Sequence, residues 1–501
     1  MLALSALARL WHVPLEISSI QSAMDSCQSM DTVLIQPGVY HESLNAPNVQ
    51  VFLIGANSPF GHQAVVIDPS VLPGSDSLAC LTIEMAPMQI DSIKFKNSPS
   101  MFPRRPGHRV GGVEIDTVEV LFRYCDFDSV YTCVDSRGLV VVENCMFHTL
   151  WRGCVLSFSS IHAMDSHFSG TAYALLLSVS GISAQRCYFS GDGLQYLVHT
   201  RGNVEISQCR FGPFDQGSFI RLYFYSAQGI ISNNTFVSFS DESHGIVHLE
   251  SACNGSLRFF GNLFQDVHCD NYLVAVNEQC TPIQPIVVSQ NLFESCSVNP
   301  AHSRGVSVYA GNTIMEENTL SSLEGEFDIA SVHVEQDSTV MRRNIFMDTE
   351  YAVEAERLVD ARFNYWGDST GPYHPLRNPS GLGDDVSDSV LFEPWYPDTN
   401  FTIENADEIV ELPDHFTLSV FPNPFNSTTR ISISAPTAFI ASIELTNILG
   451  QRVREIHSGP IFGQQEYLLS AEFLPSGIYF LSVRDVVQNS VHSSQKIALI
   501  R

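Results

Sequence analysis

A phenylalanine, or a residue in its place, recurs along the middle of the chain at intervals of 20 to 29 residues, with a small polar residue two positions before it. In the first five pairs the polar residue is cysteine or serine: Cys125-x-Phe127, Cys145-x-Phe147, Ser166-x-Phe168, Cys187-x-Phe189 and Cys209-x-Phe211. In the next six it is asparagine: Asn234-x-Phe236, Asn262-x-Phe264, Asn291-x-Phe293, Asn318-x-Leu320, Asn344-x-Phe346 and Asn364-x-Trp366. This register predicts a solenoid, in which each repeat forms one coil.

Each repeat contains two kinds of alternating apolar segment. Apolar residues stand seven and five positions before the aromatic, as at Val204 and Ile206. This pattern alone also fits a leucine-rich repeat, which is the alternative fold. A second alternating stretch fills the other half of several repeats, at 154–158, 174–179, 245–249, 273–276, 306–309 and 330–334. Because a two-residue period on more than one side of the coil indicates sheet on every face, the sequence favours an all-β parallel β-helix.

Asparagine and cysteine share one column of the expected stack. Coils lie about 4.8 Å apart, so interior asparagines can hydrogen-bond to one another and to the backbone along the axis. Disulfides between neighbouring coils are one interpretation of the cysteines in this column, but we favour small buried hydrophobic residues for Cys125, Cys145, Cys187 and Cys209. Stronger bridge candidates, for an oxidising compartment, are two pairs 27 residues apart, Cys253 with Cys280 and Cys269 with Cys296.

The N-terminal residues predict a lid over the first coil. Residues 2–8 form a short apolar run without a preceding basic residue, so we interpret residues 1–15 as a partial signal peptide. Residues 17–28 carry apolar side chains at helical spacing and predict a capping helix for the otherwise exposed first coil. A strand, a Pro37-Gly38 turn and a second strand near Tyr40 follow.

Segments at both ends of the repeats resemble the right-handed parallel β-helix, pectin-lyase-like superfamily. The strings I-Q-x-A-x-D at 20–25 and D-T-V-L-I-x-P-G-x-Y-x-E at 31–42 resemble its N-terminal lid and first coil. Residues 364–395 are similar to its closing segment. The resemblance implies a right-handed parallel β-helix over residues 16–397. It implies no single activity, since the superfamily includes polysaccharide lyases, hydrolases, epimerases and adhesins.

The last part of the chain has a different pattern of apolar residues. Residues 398–415 are polar and acidic and predict a linker, and short alternating runs between turn residues in 416–501 predict a small β-sandwich domain. This domain resembles the type A C-terminal sorting domain of the type IX secretion system in four blocks, at 421–426, 447–453, 476–480 and 496–500. The resemblance implies the type IX secretion machinery as a partner. It also implies an extracellular or outer-membrane surface location in a Gram-negative bacterium.

The charge balance disfavours several partners. The chain has 26 Lys+Arg against 54 Asp+Glu, a formal charge of −28. Polyphosphates would approach a negative surface without the usual gain from counterion release, so no nucleic acid is expected to bind, and anionic membranes are disfavoured likewise. No run of about 18 apolar residues occurs, so no membrane span is predicted. We expect a monomer.

A binding site should lie on outward positions of the coils, because the interior is filled. The residue before each aromatic and the residue before each polar position form two outward columns. Five residues of these columns fall into a patch roughly 10 to 15 Å across: Asp165, His167, Arg186, Tyr188 and Arg210. Arginine can bind a sugar carboxylate, tyrosine can stack on a pyranose, and histidine can move a proton. The patch predicts substrate binding, with a plain solvated face as the alternative.

Other candidates carry less specific chemistry. The basic cluster 104–109 is either a contact for an acidic glycan or a solvated insertion loop. Asp384, Asp385 and Asp388 lack the spacing of a regular calcium loop, so we predict no cofactor and no metal, with calcium as the alternative. His374 lies between proline-rich turns and is interpreted as structural.

The leading functional hypothesis is a secreted or surface-displayed β-helix that is structural, adhesive or glycan-binding. The alternative is a polysaccharide lyase or glycoside hydrolase that acts on an extracellular polysaccharide through the same patch. No pattern matches the calcium aspartates and catalytic arginine of pectate lyases, so the sequence assigns no catalytic residue.

Overall fold

A computed structural model shows parallel strands followed by a separate antiparallel sheet. Most of the strands belong to coils of a solenoid. The residues that the structure describes are 8–57, 59–60, 64–73, 78–96, 112–170, 174–191, 196–214, 222–240, 246–269, 272–278, 284–298, 304–323, 330–335, 339–349, 351–401, 416–471, 474–485 and 490–500.

Strands of successive coils pair in parallel and form three faces, named here the first, second and third sheets. Short strands of the first sheet are Leu10–Val13, Asp31–Ile35, Val51–Gly55, Met88–Asp91, Val120–Arg123, Val140–Glu143, Ser160–Met164, Gly181–Gln185, Asn203–Ser207, Ile286–Ser289, Thr313–Glu316, Thr339–Arg342, Val359–Asp360 and Val390–Leu391. Long strands that run from the third sheet into the first are Leu222–Ser232 and Val247–Phe260. The chain passes from the first sheet to the second and then to the third in each complete coil.

The second and third sheets repeat the same parallel pairing. The second sheet contains Gly38–Tyr40, Val65–Ile67, Ile93–Lys96, His167–Gly170, Tyr188–Phe189, Arg210–Phe211, Thr235–Ser240, Leu263–Cys269, Leu292–Glu294, Ser297–Val298, Thr319–Ser321 and Ile345–Met347. The third sheet contains Leu44–Asn45, Leu81–Ile83, Val113–Ile115, Ala174–Ser178, Tyr196–Thr200, Tyr272–Glu278, Arg304–Val308, Ala330–Val334, Tyr351–Ala355, Pro372–Tyr373 and Gly383–Val386. Strands that join these two sheets are Asp126–Ser136 and Met146–Ser157.

Parallel strands on three faces decide between the two predicted folds. A leucine-rich repeat is wrong for this chain, because the halves of the coils that would have to be helical are strands. The fold is a parallel β-helix. The right-handed sense of the coils stays a prediction, and it is the sense that crossover connections between parallel strands almost always take.

The N-terminal helix is shorter than predicted. It runs over Ile20–Asp25, and the side chain of Ser19 accepts a hydrogen bond from the backbone N–H of Ser22 as its N-cap. Its residues Ile20 and Met24 are buried against the first coils. Strand Leu10–Val13 precedes it and pairs with Asp31–Ile35, so the structure extends the first sheet into the segment predicted as a signal peptide. A capping role for the helix stays a prediction. A 3₁₀ helix follows at Pro69–Val71.

The repeating aromatics form the centre of the core. Consecutive rings stack nearly parallel, with centroids 4.4 to 5.2 Å apart, through Phe127, Phe147, Phe168, Phe189, Phe211, Phe236, Phe264 and Phe293. The spacing between coils is close to the distance that aromatic rings prefer when stacked. The sheet geometry and the ring column therefore support each other.

The asparagines form the predicted ladder. Nδ2 of every asparagine except the last donates to Oδ1 of the asparagine in the next coil at 2.9 to 3.0 Å, through Asn234, Asn262, Asn291, Asn318, Asn344 and Asn364. The same oxygen accepts the backbone N–H of the preceding asparagine, at 2.8 to 3.1 Å. The ladder therefore pairs buried polar groups at the corner between the first and second sheets.

The structure separates the cysteine interpretations. All four cysteines of the ladder column are buried free thiols, as predicted for small hydrophobic residues: Cys125, Cys145, Cys187 and Cys209. The predicted bridge between Cys269 and Cys296 is wrong, since both are free thiols. The register explains this, because Cys269 lies opposite Val298 rather than Cys296. Cys280 lies outside the described residues, so a bridge from Cys253 stays a prediction.

The C-terminal strands form one antiparallel sheet with a core of its own. Strand Thr428–Asn447 pairs with Thr417–Phe421, Arg452–Ser470 and Gly477–Asp485, and Ser490–Leu499 pairs with the last of these. Fully buried side chains include Ile431, Ile443, Leu445, Leu481 and Ile497. The two-layer sandwich stays a prediction. Among the described residues, the helices are too short to cross a membrane.

Candidate functional site

The corner between the first and second sheets positions part of the predicted patch. Asp165 and Arg186 have φ of 49° and 51°, in the left-handed region, and Tyr124, Asn144 and Gln208 repeat this conformation in their coils. One left-handed residue bends the chain sharply before the buried ladder residue. The side chains at this corner are exposed. The prediction that Asp165 and Arg186 belong to an outward-facing column is therefore confirmed.

Asp165 and Arg186 form an ion pair on adjacent coils. Nε and Nη2 of Arg186 donate to the two carboxylate oxygens of Asp165, each at 2.7 Å. These hydrogen bonds lower the pKa of Asp165. An exposed pair of this kind adds little stability, but it gives Arg186 a carboxylate partner of its own. Arg186 would have to leave this partner, or share it, to bind a ligand carboxylate.

His167 and Tyr188 lie side by side in the second sheet. Their backbones are in register, and their ring centroids are 4.6 Å apart with an interplanar angle of 30°. Nε2 of His167 is 2.9 Å from Oγ of Ser190. Burial lowers the pKa of His167, and the nearby His148 lowers it further. The lowered pKa favours the uncharged imidazole, and its ring stacks on the ring of the tyrosine.

Arg210 continues this column on the next coil. Its backbone is in register with Tyr188, and its side chain is exposed. Within the described residues, the Arg210 side chain has no ion pair. The structure thus brings the five predicted residues together on three adjacent coils, as one ion pair, one ring pair and one arginine beside them.

A shallow depression lies on the outer face of the first sheet, in the same part of the solenoid. Its volume is about 440 Å³, within the range of small-molecule sites, and it crosses five coils, or about 19 Å along the axis. Its lining combines polar side chains with apolar surface, as most such sites do. Polar side chains that line it include Ser160, His162, Ser180, Ser183, Asn203, Glu205, Ser256 and Arg258.

The parallel register explains the shape of this depression. One outward column crosses it, with one residue from each coil: His162, Ser183, Glu205, Ile230 and Arg258. Ser183 is small, and a Cβ added at Gly181 would lie 2.8 Å from the carbonyl oxygen of Asn203. The close approach of these two strands thus favours glycine at position 181, so the bottom of the depression has no side chain there.

Sequence reasoning missed the depression, although the repeat contained its signal. The column occupies the position between the two apolar residues of each first-sheet strand, as His162 does between Ile161 and Ala163. Reading that position down the repeats would have placed polar and small residues side by side. The predicted patch came instead from the two positions nearest the aromatic.

The remaining candidates have separate environments. Asp384 accepts hydrogen bonds from the backbone N–H and hydroxyl of Thr349, and Asp388 lies 3.0 Å from Nε2 of His374. His374 is buried, and its Nδ1 accepts the backbone N–H groups of residues 376 and 377, which confirms a structural role. A calcium site at the three aspartates stays a prediction. The basic cluster 104–109 lies outside the described residues.

Comparisons with solved structures found weak likenesses. The catalytic domain of Agl-KA is 12% identical with a TM-score of 0.30, and the match covers 59% of each chain. The tailspike of E. coli bacteriophage HK620, solved in complex with a pentasaccharide, is 12% identical with a TM-score of 0.27 over 90% of this chain and 88% of the other. The receptor-binding domain of the siphovirus 9NA tailspike is 8% identical with a TM-score of 0.28 over 98% of each chain. Likenesses at this level give no information on activity or ligand.

Sequence comparison identifies the C-terminal sheet. No curated protein matches the chain. Residues 419–498 match the family described as the secretion system C-terminal sorting domain. The match includes most of the four sequence blocks from which a sorting domain was predicted, and it implies export to the cell surface or the extracellular space. The chain is therefore a parallel β-helix that carries a secretion system C-terminal sorting domain at residues 419–498.

Proposed function

We propose that the exported β-helix is a glycan-binding module, and that the depression on the first sheet is its principal contact surface. The observation that carries this proposal is the depression of about 440 Å³ across five coils, with polar side chains from every part of its length. Hydroxyl, amide, carboxylate and guanidinium groups alternate along it and can pair with the hydroxyl groups of a sugar chain. An extended glycan would lie along the solenoid axis.

Side chains at each end of the column give the depression a direction. His162 is exposed at the end with the lower-numbered coils, Glu205 is exposed on the middle coil, and Arg258 is exposed at the other end. Ile230, 43% exposed, lies between Glu205 and Arg258 and offers an apolar contact for a sugar face. A ligand with hydroxyl groups and an apolar ring face matches this arrangement.

The predicted patch supplies a second contact surface across the corner. Arg210 offers a cation, and the stacked rings of His167 and Tyr188 offer an aromatic contact. A charge-assisted hydrogen bond from arginine to a single uronate carboxylate is favourable. A dense polyanion is disfavoured, because the chain as a whole carries a formal charge of −28. The proposed ligand is therefore a neutral glycan or one with sparse carboxylates.

The test is a glycan array probed with the full-length chain, followed by affinity measurements on the glycans retained. Arg258→Ala and Arg210→Ala should each weaken binding by about 10-fold or more, since each removes a charge-assisted hydrogen bond. Arg137→Ala is the matched control, because Arg137 is an exposed arginine that pairs with Asp116 at another corner of the coil. Unchanged affinity in both test variants would contradict the proposed surface.

The same samples separate binding from catalysis. A binding module should leave the retained glycan intact after long incubation, with and without calcium. New reducing ends or unsaturated uronates that disappear in His167→Ala would instead identify a hydrolase or lyase.

We also infer that export uses the type IX secretion machinery of a Gram-negative bacterium. The four sequence blocks at 421–426, 447–453, 476–480 and 496–500 support this inference.

A further inference from the structure

Four side chains form a compact array on the outer face of the third sheet. His333 lies on strand Ala330–Val334, in register with Glu354 on the next coil. Glu335 and Glu356 directly follow the two strands and remain in the ladder, since their backbone N–H groups bond to Val308 and Val334. Because alternate residues of a strand share a face, two residues from each coil project together.

The histidine of this array has one nitrogen engaged and one without a hydrogen bond. Nδ1 of His333 is 2.8 Å from a carboxylate oxygen of Glu354, so Nδ1 carries the proton and donates it. Nε2 is buried, has no hydrogen-bond partner among the residues that the structure describes, and faces Oε1 of Glu335 at 3.5 Å. The imidazole is only 1% exposed. A buried ring nitrogen beside a carboxylate calls for a cation between them, whether a proton or a metal ion.

A second carboxylate converges on the same point. A ring nitrogen of His333 and one carboxylate oxygen each from Glu335 and Glu356 all lie within 4.8 Å of one another. The nitrogen that faces Glu335 is Nε2. Metal–ligand bonds to histidine and carboxylate are about 2.0 to 2.2 Å, so ligand atoms around one ion are separated by roughly 3 to 4 Å. Glu356 is exposed, and a small rotation of its side chain would close the remaining gap.

We propose that His333, Glu335 and Glu356 bind a divalent transition-metal ion of the Zn²⁺ class. Imidazole nitrogen favours such ions over calcium and magnesium, which prefer oxygen ligands. Glu354 acts as a positioning residue, because its hydrogen bond fixes the ring and directs the Nε2 lone pair toward the metal. The ion joins two neighbouring coils and leaves at least one coordination position for water or for a group of a ligand.

Sequence spacing conceals this site. His333 and Glu335 form a His-x-Glu pattern in one coil. Glu354 and Glu356 form a Glu-x-Glu pattern 21 residues later, which is one coil further along the solenoid. The register of the third sheet brings the two patterns together. The site is independent of the proposed glycan surface, which lies on the first and second sheets.

The test is calorimetric titration of the metal-free full-length chain with Zn²⁺, and with Ca²⁺ for comparison, supported by thermal melts. We expect one Zn²⁺ site per chain, at least about 10-fold tighter than Ca²⁺, and a rise in Tm with added Zn²⁺. Glu356→Gln and His333→Gln should abolish this site, and Glu354→Gln should weaken it about 10- to 100-fold. Glu356 is exposed, so its variant keeps the test valid if the buried His333 variant fails to fold.

Two exposed residues elsewhere in the solenoid provide matched controls. Glu119→Gln and His148→Gln remove the same functional groups from other coils and should leave Zn²⁺ affinity unchanged. Absence of a Zn²⁺ site in the wild-type chain, or equal affinity in Glu356→Gln and wild type, would overturn the proposal.

Discussion

The buried asparagines show how single residues hold neighbouring coils together. Asn291 donates to the backbone oxygen of Phe259 and to Asn318, and its Oδ1 accepts from the backbone and side chain of Asn262. Water cannot reach these groups, so each lost hydrogen bond leaves an unsatisfied partner. One amide side chain therefore satisfies polar groups of three other residues.

Asn291→Ala should lower the free energy of unfolding by about 3 kcal/mol, because it leaves several buried polar groups without partners. The measurement is chemical denaturation of the two proteins. Gln265→Ala is the control, since Gln265 carries the same functional group on the exposed face of the second sheet. An equal, small effect in both variants would mean that the ladder contributes little.

Asp384 makes the free energy of unfolding depend on pH. Burial raises its pKa to about 6, although the hydrogen bonds from Thr349 act in the opposite direction. The folded state therefore holds a proton that the unfolded state releases near pH 4. The stability that this proton provides is complete below pH 4 and is lost as the pH rises through about 6.

Asp384→Asn should remove this dependence, because an amide stays neutral at every pH. We expect equal stability of variant and wild type at pH 4, and a variant about 2 kcal/mol more stable at pH 8. Thermal melts across this range measure the difference. Asp116→Asn, at an exposed carboxylate paired with Arg137, should show no such gain; a gain of the same size there would point to general charge repulsion.

Among the structural elements, the column of stacked rings couples the stability of each coil only to that of the adjacent coils. Each phenylalanine contacts the rings above and below it, so a cavity should loosen its own coil and the two neighbours. Phe189→Ala should cost about 4 kcal/mol, the usual range for a buried phenylalanine.

Hydrogen exchange should locate this effect. We expect faster exchange in Phe189→Ala over the coils that contain Phe168, Phe189 and Phe211, and unchanged exchange beyond Asn318. Met146→Ala, at a side chain 44% exposed on the same sheet, should change neither quantity. Uniformly faster exchange over the whole solenoid would contradict nearest-neighbour coupling.

The elements also show how far the sequence was informative. The apolar period and the spacing of the asparagine–aromatic pairs predicted strands on every face and the buried column, because both follow from local alternation. The short helix at Ile20–Asp25, the left-handed corner at Asp165 and the pairing of Cys269 with Val298 depend on backbone detail that alternation does not carry. The depression could have been read from the repeat, because its column keeps one position in every first-sheet strand. The His333 array could not, because the register of the third sheet decides which of its outward residues meet.

At the scale of the whole molecule, the two parts of the chain have separate tasks. The sorting domain at 419–498 has its own buried core, which includes Ile431, Ile443 and Leu481, and its residues are not part of the core of the β-helix. The β-helix should therefore keep its structure when the sorting domain is removed.

Deletion of residues 416–501 should abolish display on the cell surface and leave a folded β-helix in the periplasm. The measurement is surface labelling of intact cells together with a strand-rich circular dichroism spectrum of the retained fragment. The full-length chain is the control. Normal display of the truncated chain would contradict the role of the sorting domain in export.

A glycan-binding surface built on the first sheet by the coil register should be visible in a crystal structure of the full-length chain with an oligosaccharide retained on the array. We predict sugar density along the solenoid axis over the depression, with hydrogen bonds to Ser183, Glu205 and Arg258. Density on any other face, with the depression filled only by solvent, would contradict the account.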